Sequence, residues 1–425
     1  MINMTKQMGF ITKKNISLFY TKFSIYILWM AAVFDPIGTI GGWRYIALFC
    51  VYFALMMRVV VGQRFVLRAD DFYTQIFSFF VLFLPWYGTF VYLFRGGFQT
   101  EFIDTAYLGA AVLFACSLIY LKDDLIFTGI KALILSQRLL SLIIVMTFIS
   151  YANGHSLDWM YFFVEEGVAY IGKRNYSGFD FYYIYFIASP MIIFLMVYEI
   201  CRFSDNPSLK IFMLASLPII ALFLSGTRVN MIMAIVLAPL VFFWRKWGVF
   251  VIFFGIFYLS ILFVFLTLMD FDLMGSVFSH EEGSNSRKLN LLRHYGDIFN
   301  DPLTSIFGQG LNAQAWSESF QIMVGGKGSP VTRTELTYIE FFRVYGIFVS
   351  FIFMVIILLM LKNIVSLDPT LNWMAIAILV YMIGTSLNPY LFSSNGMLPL
   401  GLCAATLKVF KKRSFSRGNI RDYKC

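Results

Sequence analysis

The chain has 425 residues, 59% of them hydrophobic and 13% charged, with a formal net charge of +9. A soluble protein of this size carries about twice that charged fraction, so the composition excludes a soluble multidomain enzyme, and the apolar content excludes a disordered chain. Aromatic residues make up 19% of the chain, which suits side chains that face lipid or the membrane interface. We therefore expect an all-α polytopic integral membrane protein whose positive charge anchors its cytoplasmic side and does not bind nucleic acid.

The predicted elements are about 12 transmembrane helices, because a bilayer core of ~30 Å requires ~20 apolar residues per helix. The apolar segments are residues 17–35, 43–61, 72–94, 105–121, 132–150, 181–200, 210–225, 229–244, 248–269, 336–361, 372–391 and 396–410. The seventh and eighth segments form one apolar run that is broken at residues 225–228. A single helix over that run would be ~50 Å long, so we expect the chain to fold back at the break.

The distribution of charge orients these spans. With the N-terminus inside, 22 of the 33 Lys and Arg residues lie on the cytoplasmic side and 11 outside, whereas the acidic residues divide 8 to 16. This bias predicts cytoplasmic N- and C-termini and a basic cytoplasmic tail at residues 411–425. Two long connections, residues 151–180 and 270–335, then lie outside, and residues 1–425 form a single transmembrane domain.

Each long outer loop contains a segment with a recognisable pattern. Residues 158–163 in the first loop are mostly aromatic and suit a helix at the membrane interface. Residues 286–295 in the second loop suit a capped amphipathic helix, and glycine-rich segments follow at 308–310 and 325–328. The sequence contains no nucleotide-binding, zinc-protease or serine-hydrolase motif, so we expect neither a cofactor nor a metal.

Basic residues are enriched in the outer loops, where the positive-inside rule disfavours them. Seven lie in the two long loops: Lys173, Arg174, Arg287, Lys288, Arg293, Lys327 and Arg333. Arg228 lies at the turn between the seventh and eighth spans, and Arg343 lies just inside the tenth. Because a guanidinium holds phosphate oxygens through two parallel hydrogen bonds, arginines from separate segments could meet on a diphosphate. The alternative is that they are solvated or bind lipid headgroups; for Arg228, between two apolar spans, the functional interpretation is favoured.

Three groups on the outer side are candidates for proton transfer. Glu335 and Glu340 lie at the mouth of the tenth span, and Glu340 has the i,i+3 spacing for an ion pair with Arg343. That pairing leaves Glu335 to act as a base, although an acid at a helix start also has a purely structural explanation. His294 is the strongest of the outer histidines because it neighbours Arg293.

Short segments along the chain carry a family resemblance. They include Asp35-Pro36-Ile37-Gly38, Arg174-Asn175-Tyr176-Ser177-Gly178-Phe179, Leu224-Ser225-Gly226-Thr227-Arg228, Ile306-Phe307-Gly308-Gln309-Gly310 and Glu335-Leu336-Thr337-Tyr338-Ile339-Glu340. In this order and topology they resemble the bacterial O-antigen polymerase (Wzy) family, within the wider O-antigen ligase and polymerase superfamily. The third segment is similar to that family's Ser-Gly-Ser-Arg turn, and the fourth is similar to the glycine pattern of its large periplasmic loop.

The resemblance implies a membrane-embedded glycosyltransferase of lipopolysaccharide biosynthesis, in the bacterial inner membrane with its active site facing the periplasm. Its substrates would be oligosaccharide repeat units on undecaprenyl diphosphate, and the growing chain would pass to the incoming unit with release of undecaprenyl diphosphate. The implied partners are these lipid-linked oligosaccharides, membrane lipids, and a chain-length regulator and a flippase of the same pathway.

The resemblance also suggests roles for individual residues. Arg174, Arg228 and Arg293 would bind the donor diphosphate, with Arg287 as the alternative to Arg293. The related ligases place a His eleven residues before the glycine of their Gly-(Leu/Ile)-x-Gly segment, and counting back eleven from Gly346 reaches Glu335. Glu335 would then be the general base, with His294 as the alternative. Arg333, Glu340 and Arg343 would have supporting positions.

Two other functions stay open from the sequence. One is the O-antigen ligase of the same superfamily, which hands a finished glycan to its lipid acceptor. The other is a lipid-linked oligosaccharide flippase or another transporter. A transporter should place its charged residues near mid-membrane along a central path, whereas the charges here lie mainly in outer loops, which favours the enzyme.

Overall fold

A computed structural model describes most of the chain as helix. The described residues are 2–63, 65, 67–95, 105–176, 179–247, 295–296, 299–311, 336–367, 369–387 and 390–421. The first half contains α1 (Ile2–Phe34), α2 (Trp43–Val60), α3 (Phe72–Phe94), α4 (Thr105–Ala115), α5 (Asp123–Ala152) and α6 (Asp158–Glu165). A π-helical turn at Phe79–Phe83 lies within α3, and a 3₁₀ segment, Cys116–Tyr120, continues α4.

The second half contains a β-hairpin followed by further helices. The strands are β1 (Ala169–Tyr176) and β2 (Phe179–Phe186). The helices are α7 (Ile192–Asp205), α8 (Leu209–Leu224), α9 (Arg228–Ile232), α10 (Ala238–Trp247), α11 (Pro302–Phe307), α12 (Thr337–Leu367), α13 (Asn372–Gly384) and α14 (Ser394–Arg421). A π-helical turn, Met233–Leu237, joins α9 to α10.

Five of the described helices are long and apolar enough to cross a membrane. They are Asn15–Phe34, Trp43–Val60, Phe72–Phe94, Asp124–Ala152 and Thr337–Leu367, and shorter apolar helices cover Tyr107–Tyr120, Leu209–Leu224, Arg228–Phe243 and Pro369–Gly384. The chain thus has the character of a helical membrane protein, as its composition predicts. The predicted ninth span, residues 248–269, lies outside the described residues.

The structure differs from the sequence prediction around the sixth span. The predicted outer loop 151–180 and span 181–200 place residues 179–186 at the end of a loop and the start of a helix, but these residues form β2, which pairs antiparallel with β1. The segment Phe-Asp-Phe-Tyr-Tyr-Ile-Tyr-Phe is rich in aromatic residues, which favour β-strands and also raise the hydropathy of the segment. The helix of this region therefore begins only at Ile192, and a β-hairpin interrupts the helical fold of the described residues.

Polar residues at the helix starts explain several of these boundaries. The Ser208 hydroxyl accepts a hydrogen bond from Ile211 N at the start of α8, and the Thr227 hydroxyl accepts one from Asn230 N at the start of α9. Asp301 accepts hydrogen bonds from Leu303 N and Thr304 N before Pro302, the first residue of α11. These side chains satisfy backbone donors that lack partners in the first turn of a helix.

Contacts between distant segments divide the helix ends into two sets. We call one set the tail end, where Lys22 pairs with Asp124 and Lys408 pairs with Asp71. We call the other set the hairpin end, which contains the β-hairpin, the α1–α2 and α13–α14 connections, and residues 295–296 and 299–311. There the Thr39 hydroxyl donates to Glu166 O at 2.8 Å, and the Tyr87 hydroxyl donates to Phe307 O at 3.1 Å.

Candidate functional site

A buried ion pair lies in the first turns of α12. Glu340 and Arg343 are 3% and 0% exposed, and Arg343 binds both carboxylate oxygens of Glu340, with Nε donating to Oε2 at 3.0 Å and Nη2 donating to Oε1. This confirms the pairing that their spacing predicts. Two charges removed from water are tolerated because the bidentate geometry balances them locally.

Residues from the preceding loop complete this ion pair. The Tyr295 hydroxyl donates to Glu340 Oε2 at 2.7 Å, and Arg343 Nη1 donates to Gln309 Oε1 at 2.7 Å. Glu340 and Arg343 are thus held by each other and by the loop. The arrangement suits a fixed scaffold, and it leaves neither charge presented to solvent.

A backbone interruption in α12 receives the glycine-rich segment. Gly346 has a φ of 74°, which breaks the helix, and the carbonyls of Arg343 and Val344 accept hydrogen bonds from Gln309 N at 2.7 Å and Gly310 N at 3.0 Å. A Cβ on Gly308 would lie 2.7 Å from Gly346 N, and a Cβ on Gly346 would lie 2.7 Å from Gly308 N. Both glycines are required because the two backbones touch.

Arg95, at the end of α3, fixes the start of the same segment. Its Nη1 donates to the Thr304 hydroxyl at 2.6 Å and to Gly308 O at 3.0 Å, and its Nη2 binds Asp301. Hydrogen bonds from Thr304 and then from Arg95 lower the pKa of Asp301 to about 2. Arg95 is not among the site residues predicted from the sequence; its outward position and the capping Asp301-Pro302 pair are the signals that could have identified it.

The β-hairpin lies directly on the turn that precedes α9. A Cβ on Gly226 would lie 2.6 Å from Tyr183 Cγ, and the rings of Phe181 and Phe223 are 5.6 Å apart in an edge-to-face contact. Gly226 has a φ of 67°, so a side chain there would be strained as well as obstructed.

Buried polar residues hold this turn in place. Asn230 Nδ2 donates to the Ser225 hydroxyl at 2.8 Å, and that hydroxyl donates to Leu222 O at 2.7 Å. Arg228 is half-buried as the first residue of α9. In the hairpin, Arg174 stands opposite Phe181 in the ladder. The structure therefore brings together the segments that carry Arg174 and Arg228, two of the three that are predicted to bind the diphosphate.

The end of α13 connects this region to α12. A Cβ on Gly384 would lie 3.3 Å from Met233 Cε and 3.3 Å from Ile193 Cδ1. The Tyr338 hydroxyl of α12 donates a hydrogen bond to Met382 O, also near the end of α13, at 2.7 Å. The hairpin, the turn before α9 and the start of α12 are thus parts of one packed region at the hairpin end.

Five of the predicted site residues lie outside the described residues: Arg287, Arg293, His294, Arg333 and Glu335. Their described neighbours are informative. Tyr295, which follows His294, is buried against Glu340, and Leu336, which follows Glu335, is 5% exposed at the start of α12. The assignments of His294 and Glu335 to proton transfer stay predictions.

No protein-family model, curated protein or solved structure matches this chain. The support for a function is therefore the geometry of the hairpin end together with the resemblance of the short segments.

Proposed function

We propose that the protein is a glycosyltransferase that polymerises oligosaccharide repeat units carried on undecaprenyl diphosphate, as the resemblance to O-antigen polymerases implies. The observation that supports it best is the contact between the hairpin that carries Arg174 and the turn that carries Arg228. Separate loop segments with basic residues meet at one end of a helical membrane protein, which suits a lipid carrier whose diphosphate lies at the membrane surface. In this proposal the hairpin end faces the periplasm of a bacterial inner membrane.

The proposed reaction transfers a glycan between two lipid-linked units. A hydroxyl of the incoming unit attacks the anomeric carbon of the growing chain, the bond from that carbon to the diphosphate oxygen breaks, and undecaprenyl diphosphate leaves with the electron pair. Negative charge accumulates on the leaving diphosphate, and arginines at Arg174, Arg228 and Arg293 would stabilise it. The hydroxyl proton passes to Glu335, or to His294 as the alternative base.

Glu340 and Arg343 have a supporting role in this proposal. Glu340 already accepts hydrogen bonds from Arg343 and Tyr295. Its carboxylate is therefore a poor candidate for the general base, because those bonds occupy the oxygens that would take the proton. The pair instead fixes the start of α12, where Leu336 directly follows Glu335, relative to the loop residues Tyr295 and Gln309.

The experiment compares the lipopolysaccharide banding pattern of a strain in which the gene is deleted with that of the same strain carrying a plasmid copy of the gene. In the deletion strain, a single-repeat band supports a polymerase, unattached polymer would identify the ligase, and complete loss of the glycan would identify the flippase. In the complemented strain, Arg228→Ala should abolish the ladder of long chains at normal protein abundance. Arg68→Ala is the matched control, because Arg68 is exposed in the α2–α3 connection at the tail end and should leave the ladder unchanged.

A further inference from the structure

The connection from α13 to α14 contains buried polar atoms that the fold does not satisfy. Ser394 and Asn395 are 1% and 0% exposed, and neither Ser394 Oγ nor Asn395 Oδ1 has a hydrogen-bond partner among the described residues. A buried polar atom without a partner is unfavourable, because it has lost its hydrogen bonds to water and gained none in return. Two adjacent atoms of this kind therefore indicate a hydrogen-bond partner that the described fold does not supply, such as water or a ligand.

The orientation of the Asn395 amide defines which hydrogen-bonding groups the missing partner must carry. Its Nδ2 donates to Ile187 O, at the end of the β-hairpin, at 2.8 Å. This fixes the amide, so Oδ1 is the atom left over, and it can only accept a hydrogen bond. Ser394 Oγ beside it can both donate and accept. The partner must therefore carry at least one hydroxyl or amine hydrogen.

Tyrosine rings lie on the two segments that Asn395 joins, the β-hairpin and the turn before α14. The hydroxyls of Tyr185 and Tyr390 are hydrogen-bonded to each other, and the Tyr381 hydroxyl donates to Tyr390 O at 3.2 Å. Tyr170 stacks on Tyr185 with ring centroids 6.2 Å apart and is 48% exposed. Burial, and then the neighbouring Tyr390, raise the pKa of Tyr185 well above its usual value, so its hydroxyl keeps its proton at neutral pH.

We infer that Tyr170, Tyr185, Tyr390, Ser394 and Asn395, which we call the glycan patch, bind a sugar of the polymer or of the incoming repeat unit. A sugar ring has hydroxyls that donate and accept, and an apolar face that packs on aromatic rings. None of these five side chains carries a charge at neutral pH, which distinguishes the glycan patch from the basic segments at Arg174 and Arg228. The inference deepens the proposed function, since it assigns the glycan and the diphosphate of one substrate to different parts of the hairpin end.

The test measures binding of glycan without its lipid. The probe is the O-polysaccharide released by mild acid from the lipopolysaccharide of the producing bacterium, titrated against the full-length protein in nanodiscs and followed by saturation-transfer NMR. Ser394→Ala and Asn395→Leu each remove a hydrogen bond to the sugar and should weaken binding about fivefold. Tyr170→Ala removes an exposed ring, should fold normally, and should also weaken binding. Gln137→Leu is the matched control, because this buried amide in α5 also lacks a partner among the described residues but lies outside the glycan patch.

The outcomes separate this inference from the proposed function. Weaker binding in the three glycan-patch variants with unchanged binding in Gln137→Leu supports the inference. Absence of binding by the wild-type protein, or wild-type affinity in Ser394→Ala and Tyr170→Ala, overturns it and leaves water as the partner of the buried atoms. Polymerase activity is read separately from the ladder with Arg228→Ala, so either proposal can fail while the other stands.

Discussion

At the scale of single residues, the most informative group is the ion pair of Glu340 and Arg343. The sequence spacing predicts the pair, and the structure adds Tyr295 and Gln309 as further partners. Those partners could not be predicted, because they come from a loop whose docking depends on the break at Gly346. The i,i+3 spacing thus predicts the ion pair itself, whereas its contacts with Tyr295 and Gln309 depend on how the loop packs on α12.

Removing one member of this pair should be strongly destabilising. Arg343→Met leaves Glu340 as an uncompensated buried charge, and we expect a loss of about 3–5 kcal/mol. The double variant Glu340→Leu/Arg343→Met should recover most of that loss, because no unpaired charge remains. The measurement is denaturant unfolding in detergent. Lys22→Met is the control, since its pair with Asp124 is about half exposed and should contribute at most about 1 kcal/mol. Equal effects of Arg343→Met and Lys22→Met would contradict the assignment.

Asp301 should give the loop a characteristic acid response. Its pKa is lowered to about 2 in the folded protein from an ordinary value of 3.8, so its ionised form stabilises the docked segment. That contribution is fully present above the ordinary value and is lost as the pH falls through about 2. Hydrogen exchange of the Thr304 and Gly308 amides should therefore speed up between pH 4 and 2 relative to amides of α5, beyond the intrinsic pH dependence. Asp301→Asn should show no such step; an identical step in that variant would contradict the role of Asp301.

At the scale of elements, the two glycines that join residues 308–310 to α12 should be the least replaceable backbone positions. In Gly346→Ala the new methyl group would overlap Gly308 N at 2.7 Å, and the φ of 74° with a ψ of 176° lies in a region open essentially to glycine alone, which adds about 1–3 kcal/mol of strain. Gly62→Ala is the control, because Gly62 has a φ of +82° with nothing within 4 Å, and so it reports the cost of a positive φ without a steric overlap. We expect Gly346→Ala to lower the melting temperature well beyond Gly62→Ala. Equal shifts would show that the backbones do not touch.

Several elements follow directly from the sequence, and others do not. The boundaries of α2 and α3 match the predicted spans closely because apolar runs there end in polar or glycine residues. The sequence does not predict the hairpin, because Phe179–Phe186 is as apolar as a membrane helix and the hydropathy of a short run cannot distinguish a strand from a helix. The contact of Tyr183 with Gly226 was beyond sequence reasoning, since it joins segments more than 40 residues apart.

At the scale of the whole molecule, the proposed function assigns the two sets of helix ends to opposite sides of the membrane. The proposal places the hairpin end in the periplasm and the tail end, including the basic segment from residue 411, in the cytoplasm. Reporter fusions after Gly154, between α5 and α6, and after Arg421 should therefore give opposite compartment signals. Matching signals would contradict both the topology and the location of the site.

The most direct test of the central claim is polymerisation in a purified system. Wild-type protein in liposomes, supplied with the repeat unit on undecaprenyl diphosphate, should form a ladder of products and release one undecaprenyl diphosphate per bond formed. Arg228→Lys retains the charge but loses the planar fork, so its rate should fall at least about tenfold, while Arg68→Lys should match the wild type. A wild-type protein that releases no undecaprenyl diphosphate, or an Arg228→Lys variant as fast as the wild type, would contradict the account.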